Sequence, residues 1–118
     1  MSALEVSIRR AADRTIIDLV GDVDGDARTT LPSAYSDAAP TAGSELVLNF
    51  AGVGYINSTG IALIVGLLAR ARSERVAIGA RGLSDHYRGI FEITRLSDFM
   101  TIYPDEAATL AGPTRSSE

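Results

Sequence analysis

The segment that most constrains the fold is residues 46–72, LVLNFAGVGYINSTGIALIVGLLARAR, which has no charged residue before Arg70. It is long enough to span a membrane, which takes roughly 20 predominantly apolar residues. Four glycines and the polar residues Asn49, Asn57 and Ser58 interrupt it, so a continuous apolar helix is a poor description. We therefore predict three elements, a buried strand, a connection and a helix, over Leu46–Phe50, Ala51–Asn57 and Ser58–Arg72.

The rest of the chain alternates between strand and helix patterns. The predicted strands are Leu4–Arg9, Arg14–Val20, Arg75–Ala80 and Phe99–Tyr103. A turn over Ala11–Asp13 joins the first two into a hairpin, and a loop over Gly21–Asp26 follows them. The other predicted helices are Ala27–Ala39, Ser84–Ile93 and Pro104–Leu110. This order is typical of an α/β domain with a mixed, mostly parallel sheet. We expect one domain over residues 1–111, with about five strands, an N-terminal antiparallel hairpin and about four helices, and a disordered tail over residues 112–118.

Composition excludes several classes of function. The net charge of −4 argues against a nucleic-acid backbone as a direct partner. One His and no Cys argue against a zinc site, and the absence of Lys excludes Schiff-base chemistry. No phosphate loop or nucleophile motif is complete, so we expect neither an enzyme nor a cofactor. With no signal sequence in Met1–Val6 and no membrane span, we expect a cytoplasmic protein.

Three aspartates at alternate positions, Asp22, Asp24 and Asp26, resemble the start of a calcium loop. The pattern then fails, because the sixth position holds Ala27 instead of Gly and the twelfth holds Ser33 instead of Glu. We therefore predict no metal. Two interpretations remain, a solvated loop with Asp26 as the N-cap of the next helix, and an acidic rim beside the helix that starts at Ser58.

The start of the Ser58 helix carries more polar side chains than a cap requires. Asn57, Ser58 and Thr59 are all candidate capping residues. A phosphoryl group on Ser58 would meet free N–H donors and the positive end of the helix dipole. It would also bring a charge of about −1.5 to −2 to an apolar surface. Such a change could repel or dock a partner without refolding the domain.

The body of this helix is apolar on nearly every side, which indicates either a core position or cover by a partner. Ile61, Ile64 and Leu68 form one apolar stripe with Val65. Small residues form a separate strip, which would allow another helix to approach closely: Ala62, Gly66 and Ala69. Both interpretations of that strip, core packing and partner contact, stay open.

Three segments resemble the STAS domain of bacterial anti-sigma factor antagonists. GVGYINSTGIALIVGLL is similar to the family hallmark of an apolar strand, Asp-Ser-Ser/Thr-Gly and an apolar helix, read here as Asn57-Ser58-Thr59-Gly60. GDVDGDA resembles the family's acidic loop after the second strand, and IFEITRLSDFMTIYPDEAAT resembles its closing elements. The resemblance covers Leu4 to Leu110. Asn57 stands in place of the usual Asp, and Arg95 stands where Gly is common.

The resemblance implies a STAS-like fold and a partner switch controlled by phosphorylation. The partner it implies is an anti-sigma factor with serine kinase activity, whose binding releases a sigma factor, and a phosphatase would reverse the modification. Ser58 would be the phosphorylated residue in preference to Thr59, with Asp24, Asn57 and Gly60 around it. The partner surface would include Asp22, Asp24, Ala62, Gly66 and Ala69. The alternative is a STAS scaffold, or a module that senses a nucleotide or lipid, that works without phosphorylation.

Overall fold

A computed structural model describes residues 3–11 and 14–104 of the 118-residue chain. Its strands are β1 (Glu5–Ala11), β2 (Arg14–Val23), β3 (Glu45–Ile56), β4 (Ala77–Arg81) and β5 (Thr101–Tyr103). Its α-helices are α1 (Thr30–Ala38), α2 (Ser58–Ser73) and α3 (Asp85–Ile93), and short 3₁₀ helices span Gly25–Arg28 and Leu96–Phe99.

The five strands form one sheet in the order β1-β2-β3-β4-β5. β1 and β2 pair antiparallel, and the later pairs are parallel. Right-handed crossovers that always step in the same direction place their helices on the same face of the sheet. The prediction of a mixed, mostly parallel sheet with an N-terminal hairpin is confirmed. The described residues contain three of the four expected α-helices. Pro104 is described and forms a bend, whereas the remainder of the helix predicted over Pro104–Leu110 and the tail over residues 112–118 lie outside the described residues.

The main core lies between the helices and one face of the sheet. Alternate residues of β3, namely Leu46, Leu48 and Phe50, point into it, as strand periodicity requires. The rings of Phe50 and Phe91 meet edge to face, with centroids 6.0 Å apart, which joins α3 to the sheet. The core also takes in the buried side of α2, which comprises five of its sixteen residues, so the interpretation of this helix as core holds for one side only.

The opposite face of the sheet holds a polar network that crosses four strands. Arg9 Nε donates to Asp18 Oδ2 at 2.6 Å, and Asn49 Nδ2 donates to Asp18 Oδ1 at 2.6 Å. Arg81 in turn donates to the Asn49 side-chain oxygen. The hydrogen bond from Arg9 lowers the pKa of Asp18 against the opposing effect of burial. The network links β1 to β4 on the face that the helices leave free.

The predicted connection over Ala51–Asn57 is wrong, because β3 continues to Ile56. The strand keeps its pairing with β2 through two register shifts, between Asp18 and Val20 and between Gly21 and Asp22. Gly52 permits the first, since a Cβ there would lie 2.9 Å from the Leu19 carbonyl oxygen. Gly52 looks like a strand breaker in the sequence but is here required by close contact between strands, whereas a Cβ on Gly54 would meet only an ordinary contact at 3.6 Å.

Two further boundaries differ from the prediction. β2 runs to Val23, so the predicted loop over Gly21–Asp26 is shorter, and the next α-helix starts at Thr30 instead of Ala27. The reason is local: the Asp24 side chain accepts a hydrogen bond from Asp26 N–H at 3.0 Å and starts a separate 3₁₀ helix. Asp24 is therefore the capping residue of this segment, and the assignment of that role to Asp26 is wrong.

The strands that close the sheet are shorter than predicted. Arg75 lies outside β4 in a left-handed turn, with φ of 62°. Phe99 belongs to a 3₁₀ helix instead of β5. Arg95 also has a left-handed backbone, with φ of 67°, which explains why the resembling family favours Gly at this position. No helix in the described part of the chain is long and apolar enough to cross a membrane.

Candidate functional site

The candidate site is the N-terminal end of α2, and Gly60 positions it against the end of β2. A Cβ on Gly60 would lie 2.0 Å from the Val23 carbonyl oxygen, far inside contact distance. Asn57 N–H donates to the same oxygen at 3.2 Å. Only glycine allows this close approach. Gly60, the fourth residue of the Asn-Ser-Thr-Gly motif, therefore fixes the start of α2 against the end of β2, the strand that leads into the acidic loop.

Asn57 caps the helix and thereby leaves Ser58 available. The Asn57 backbone is extended, and its Oδ1 accepts a hydrogen bond from Gly60 N–H at 2.8 Å. Ser58 is therefore the first residue inside the helix and not its cap. The sequence left three candidate caps, and the geometry selects Asn57.

Ser58 is exposed and Thr59 is half-buried. Neither hydroxyl hydrogen-bonds to a residue in the described part of the chain. Ser58 sits in the first turn, where N–H groups lack partners within the helix and the dipole is positive. Of the two hydroxyl groups, the exposed one of Ser58 is the more accessible to a modifying enzyme.

Asp22 and Asp24 flank Val23, so both acidic residues come to the same end of the sheet as Ser58. Asp22 pairs in register with Tyr55 of β3 and is half-buried. Asp24 begins the 3₁₀ helix, against which α2 packs. An acidic rim formed by Asp22 and Asp24 beside Ser58 stays a prediction. Within the described ranges, no group of three or more His, Cys, Asp or Glu side chains is arranged to hold a metal ion.

The small residues predicted as partner contacts share one exposed face of α2. Ala62, Gly66 and Ala69 are all exposed, and Val65 between them is 46% exposed. No atom lies within 4 Å of the position that a Cβ on Gly66 would take. Gly66 therefore weakens the helix without relieving any contact in this structure. Of the two interpretations of the strip, core packing is excluded by its exposure.

The other end of α2 is held by side chains. Tyr35 Oη donates to Glu74 Oε1 at 2.8 Å, and the Arg70 guanidinium lies 4.3 Å from the Tyr35 ring centroid. Arg70 Nε also lies 3.5 Å from Glu74 Oε2. Burial and the hydrogen bond to Glu74 raise the pKa of Tyr35 to about 12. Basic residues in the last turn of α2 also suit the helix dipole.

Sequence reasoning missed two residues at the site. The Tyr87 hydroxyl accepts a hydrogen bond from Ile56 N–H at 2.9 Å, which anchors the end of β3 just before the capping residue. Tyr55 is 53% exposed and adds an aromatic surface beside the helix start. Tyr87 carries no local signal for this role, because its partner lies 31 residues away. For Tyr55, an aromatic residue between Gly54 and a polar helix start was the available signal.

Comparison with known proteins places this architecture in a family. A family model described as "Mlab, STAS domain" matches residues 6–103. An anti-sigma-B factor antagonist of Listeria monocytogenes is 30% identical over 93 residues, which cover 79% of this chain and 82% of the relative. The anti-sigma factor antagonist SpoIIAA shares the fold in both its solved forms. The unphosphorylated form superposes with a TM-score of 0.65 at 17% identity, covering 91% of this chain and 96% of SpoIIAA. The phosphorylated Bacillus form gives 0.56 at 20% identity, covering 89% and 96%. The chain belongs to the STAS domain family.

Proposed function

We propose that this protein is an anti-sigma factor antagonist switched by phosphorylation at Ser58. In this proposal the unmodified protein binds an anti-sigma factor that is also a serine kinase, and binding releases a sigma factor. The observation that carries it is the exposed Ser58 hydroxyl, which is held at a helix start yet makes no hydrogen bond to a described residue. The Listeria relative, named an anti-sigma-B factor antagonist, supports the choice of partner.

Phosphorylation would act through charge at the surface. A phosphoryl group on Ser58 would be stabilised by free N–H groups of the first turn of α2, while the acidic residues Asp22 and Asp24 at the same end of the sheet would oppose it. It would add about −1.5 to −2 of charge at the edge of the exposed α2 face. A partner seated on Ala62, Gly66 and Ala69 would meet that charge at its margin, so binding would weaken while the fold stays the same.

The replacement of the family's Asp by Asn57 is compatible with this proposal. The capping bond uses one side-chain oxygen, which Asn and Asp both have, so the helix start keeps its geometry. Asn also lacks a negative charge that would repel a phosphoryl group on the next residue. Under this proposal the protein is a substrate of the kinase and of a phosphatase, is not itself an enzyme, and works in the cytoplasm.

The test compares binding by the wild type, Ser58→Ala and Ser58→Asp. Each protein is used as bait in lysate of the source organism, and captured proteins are identified by mass spectrometry. We expect wild type and Ser58→Ala to retain an anti-sigma kinase that Ser58→Asp loses. Ser84→Asp is the matched control, since Ser84 caps α3 and the variant adds the same charge at another helix start. Equal binding by all four baits would count against the switch.

Phosphorylation itself is tested with the purified kinase so identified and ATP. We expect one phosphoryl group on the wild type and on Thr59→Ala, and none on Ser58→Ala, as measured by mass spectrometry of proteolytic peptides. If Ser58→Ala incorporates phosphate at the wild-type rate, a residue other than Ser58 is the one modified.

A second candidate is a STAS module that binds its partner without phosphorylation. The exposed apolar face of α2 favours it, because this face alone could hold a partner. This candidate predicts that the same proteins bind Ser58→Ala and Ser58→Asp, and that Val65→Asp releases them. A ligand-sensing form, for a nucleotide or lipid, would show a rise in melting temperature when its ligand is added.

A further inference from the structure

An apolar groove with a volume of about 960 Å³ runs along the C-terminal half of α2, away from Ser58. β4 and the segment from Leu96 to Thr101 form its other wall. Its floor consists of buried aliphatic side chains: Leu68, Val76, Ile78 and Leu96. Two apolar side chains at its edge are exposed, Val65 at 46% and Phe99 at 55%. The floor side chains are only 4–8% exposed, so the apolar surface that the groove shows to water comes mainly from Val65 and Phe99 at its edge.

Two arginines that form no ion pair with a described residue line this groove. The Arg72 guanidinium lies 5.9 Å from the Phe99 ring centroid, and Arg75 stands in the left-handed turn between α2 and β4. Neither forms a hydrogen bond through its guanidinium or an ion pair within the described part of the chain. Every other arginine in the described part of the chain forms a hydrogen bond through its guanidinium group, an ion pair, or both.

The groove is locally cationic although the chain carries a net charge of −4. Asp98 also lines the groove, but its Oδ2 already accepts a hydrogen bond from Arg95 Nε at 2.7 Å. The charge of Asp98 is thus balanced, and no carboxylate in the described part of the chain pairs with the guanidinium groups of Arg72 and Arg75, which can therefore meet an external anion. Guanidinium groups bind carboxylates in a two-pronged geometry.

We propose that this groove binds a fatty acid, with its chain along the aliphatic floor and its carboxylate at Arg72 and Arg75. A peptide fits less well. β4 pairs on both edges, with β3 and β5, so it offers no edge to a peptide strand, and the outer edge of β5 in the described sheet is only three residues long. A peptide would then bury backbone groups without hydrogen-bond partners, whereas a hydrocarbon chain has none to satisfy. This site is separate from Ser58 and stands whether or not Ser58 is phosphorylated.

The test uses the full chain with Phe99→Trp, which places one indole at the edge of the groove because the sequence has no Trp. Dodecanoate is titrated below its aggregation threshold, with dodecanol and acetate as the chain-only and charge-only probes. We expect saturable binding of dodecanoate, binding about tenfold or more weaker for dodecanol, and none for acetate. Calorimetry on the wild type checks that the indole does not create the site.

The double variant Arg72→Gln/Arg75→Gln should weaken dodecanoate binding about tenfold or more and leave dodecanol unchanged. Arg28→Gln/Arg88→Gln removes the same charge elsewhere and should bind dodecanoate like the wild type. Thr101→Glu gives an independent check, since it adds an anion to an exposed residue in the groove wall. Thr101→Glu should also weaken the binding of dodecanoate and leave the binding of dodecanol unchanged.

Three results would overturn the proposal. They are no saturable binding of dodecanoate, equal affinity for dodecanoate and dodecanol, and equal losses in the two arginine pairs. Circular dichroism and thermal melting confirm that each variant is folded. If the Arg72/Arg75 variant fails to fold, Thr101→Glu decides: unchanged dodecanoate affinity then counts against the site.

Discussion

The two ends of α2 are fixed in different ways. At the N-terminal end, a close backbone approach and one side-chain cap set the position, since Gly60 packs against the Val23 carbonyl and Asn57 Oδ1 accepts a hydrogen bond from Gly60 N–H. At the C-terminal end, the side chains of Tyr35, Arg70 and Glu74 hold the helix. The Ser58 side chain takes part in neither set of contacts. A helix start held by its neighbours Asn57 and Gly60 can have the exposed Ser58 side chain modified without losing its position.

The largest effect should come from Gly60→Ala, which breaks the N-terminal arrangement. The new methyl would lie 2.0 Å from a backbone oxygen, so the helix must shift or the strand must move. We expect a loss of about 3 kcal/mol in the free energy of unfolding, at the upper end for overpacking. Urea unfolding followed by circular dichroism measures it. A change below the error of extrapolation would mean that this contact is not rigid.

Asn57→Ala removes the cap and should cost about 1 kcal/mol of unfolding free energy. Asn57→Asp is the control, because its carboxylate can accept the same bond from Gly60 N–H and also favours the helix dipole. We expect its stability to equal or exceed that of the wild type in the same urea titration. If both variants lose equally, the amide itself, and not the capping oxygen, matters at this position.

Gly66→Ala tests the exposed face that joins the two ends. With no atom within 4 Å of the new methyl, we expect a gain of about 0.5–1 kcal/mol in the free energy of unfolding. Gly89→Ala in α3 is the matched control, because it also meets nothing within 4 Å. If a partner packs closely on α2, only Gly66→Ala should weaken capture of that partner. Unchanged binding would place the partner away from Gly66.

The contribution of Tyr35, at the C-terminal end of α2, to the stability of the fold should depend on pH only in the alkaline range. Because the pKa of Tyr35 is raised from 10.0 to about 12 in the folded state, folding favours the neutral phenol. This contribution is fully present below pH 10 and is lost as the pH rises through about 12. Tyr103, with its pKa also raised to about 12, contributes in the same window.

We therefore expect the urea midpoint to fall over that range, and to fall less in Tyr35→Phe and Tyr103→Phe. Near neutral pH neither phenol ionises, so the dependence on pH there should be the same in all three proteins. An equal alkaline decline in all three would show that other groups cause it.

The sequence contained most of the fold because its signals are local. Apolar alternation marks the strands, and the polar motif Asn57–Gly60 marks the start of α2. The misassigned cap at Asp26 has a local cause, but the other main failures come from contacts between distant residues. Gly52 resembles a break in the chain, yet its contact with Leu19 keeps β3 intact. The roles of Tyr87 and of the Arg72–Arg75 groove likewise depend on elements that meet only in the folded protein.

The order of strands in the sheet, which is also their order in the chain, bears on how the domain is made. Each strand adds to the edge left by its predecessor, and none must be inserted between two that are already paired. A nascent chain can therefore extend the sheet in the direction of synthesis, closing one helical crossover at a time after the first hairpin. The described partners of the Ser58 turn all precede β5, so this turn needs nothing from the last strand made.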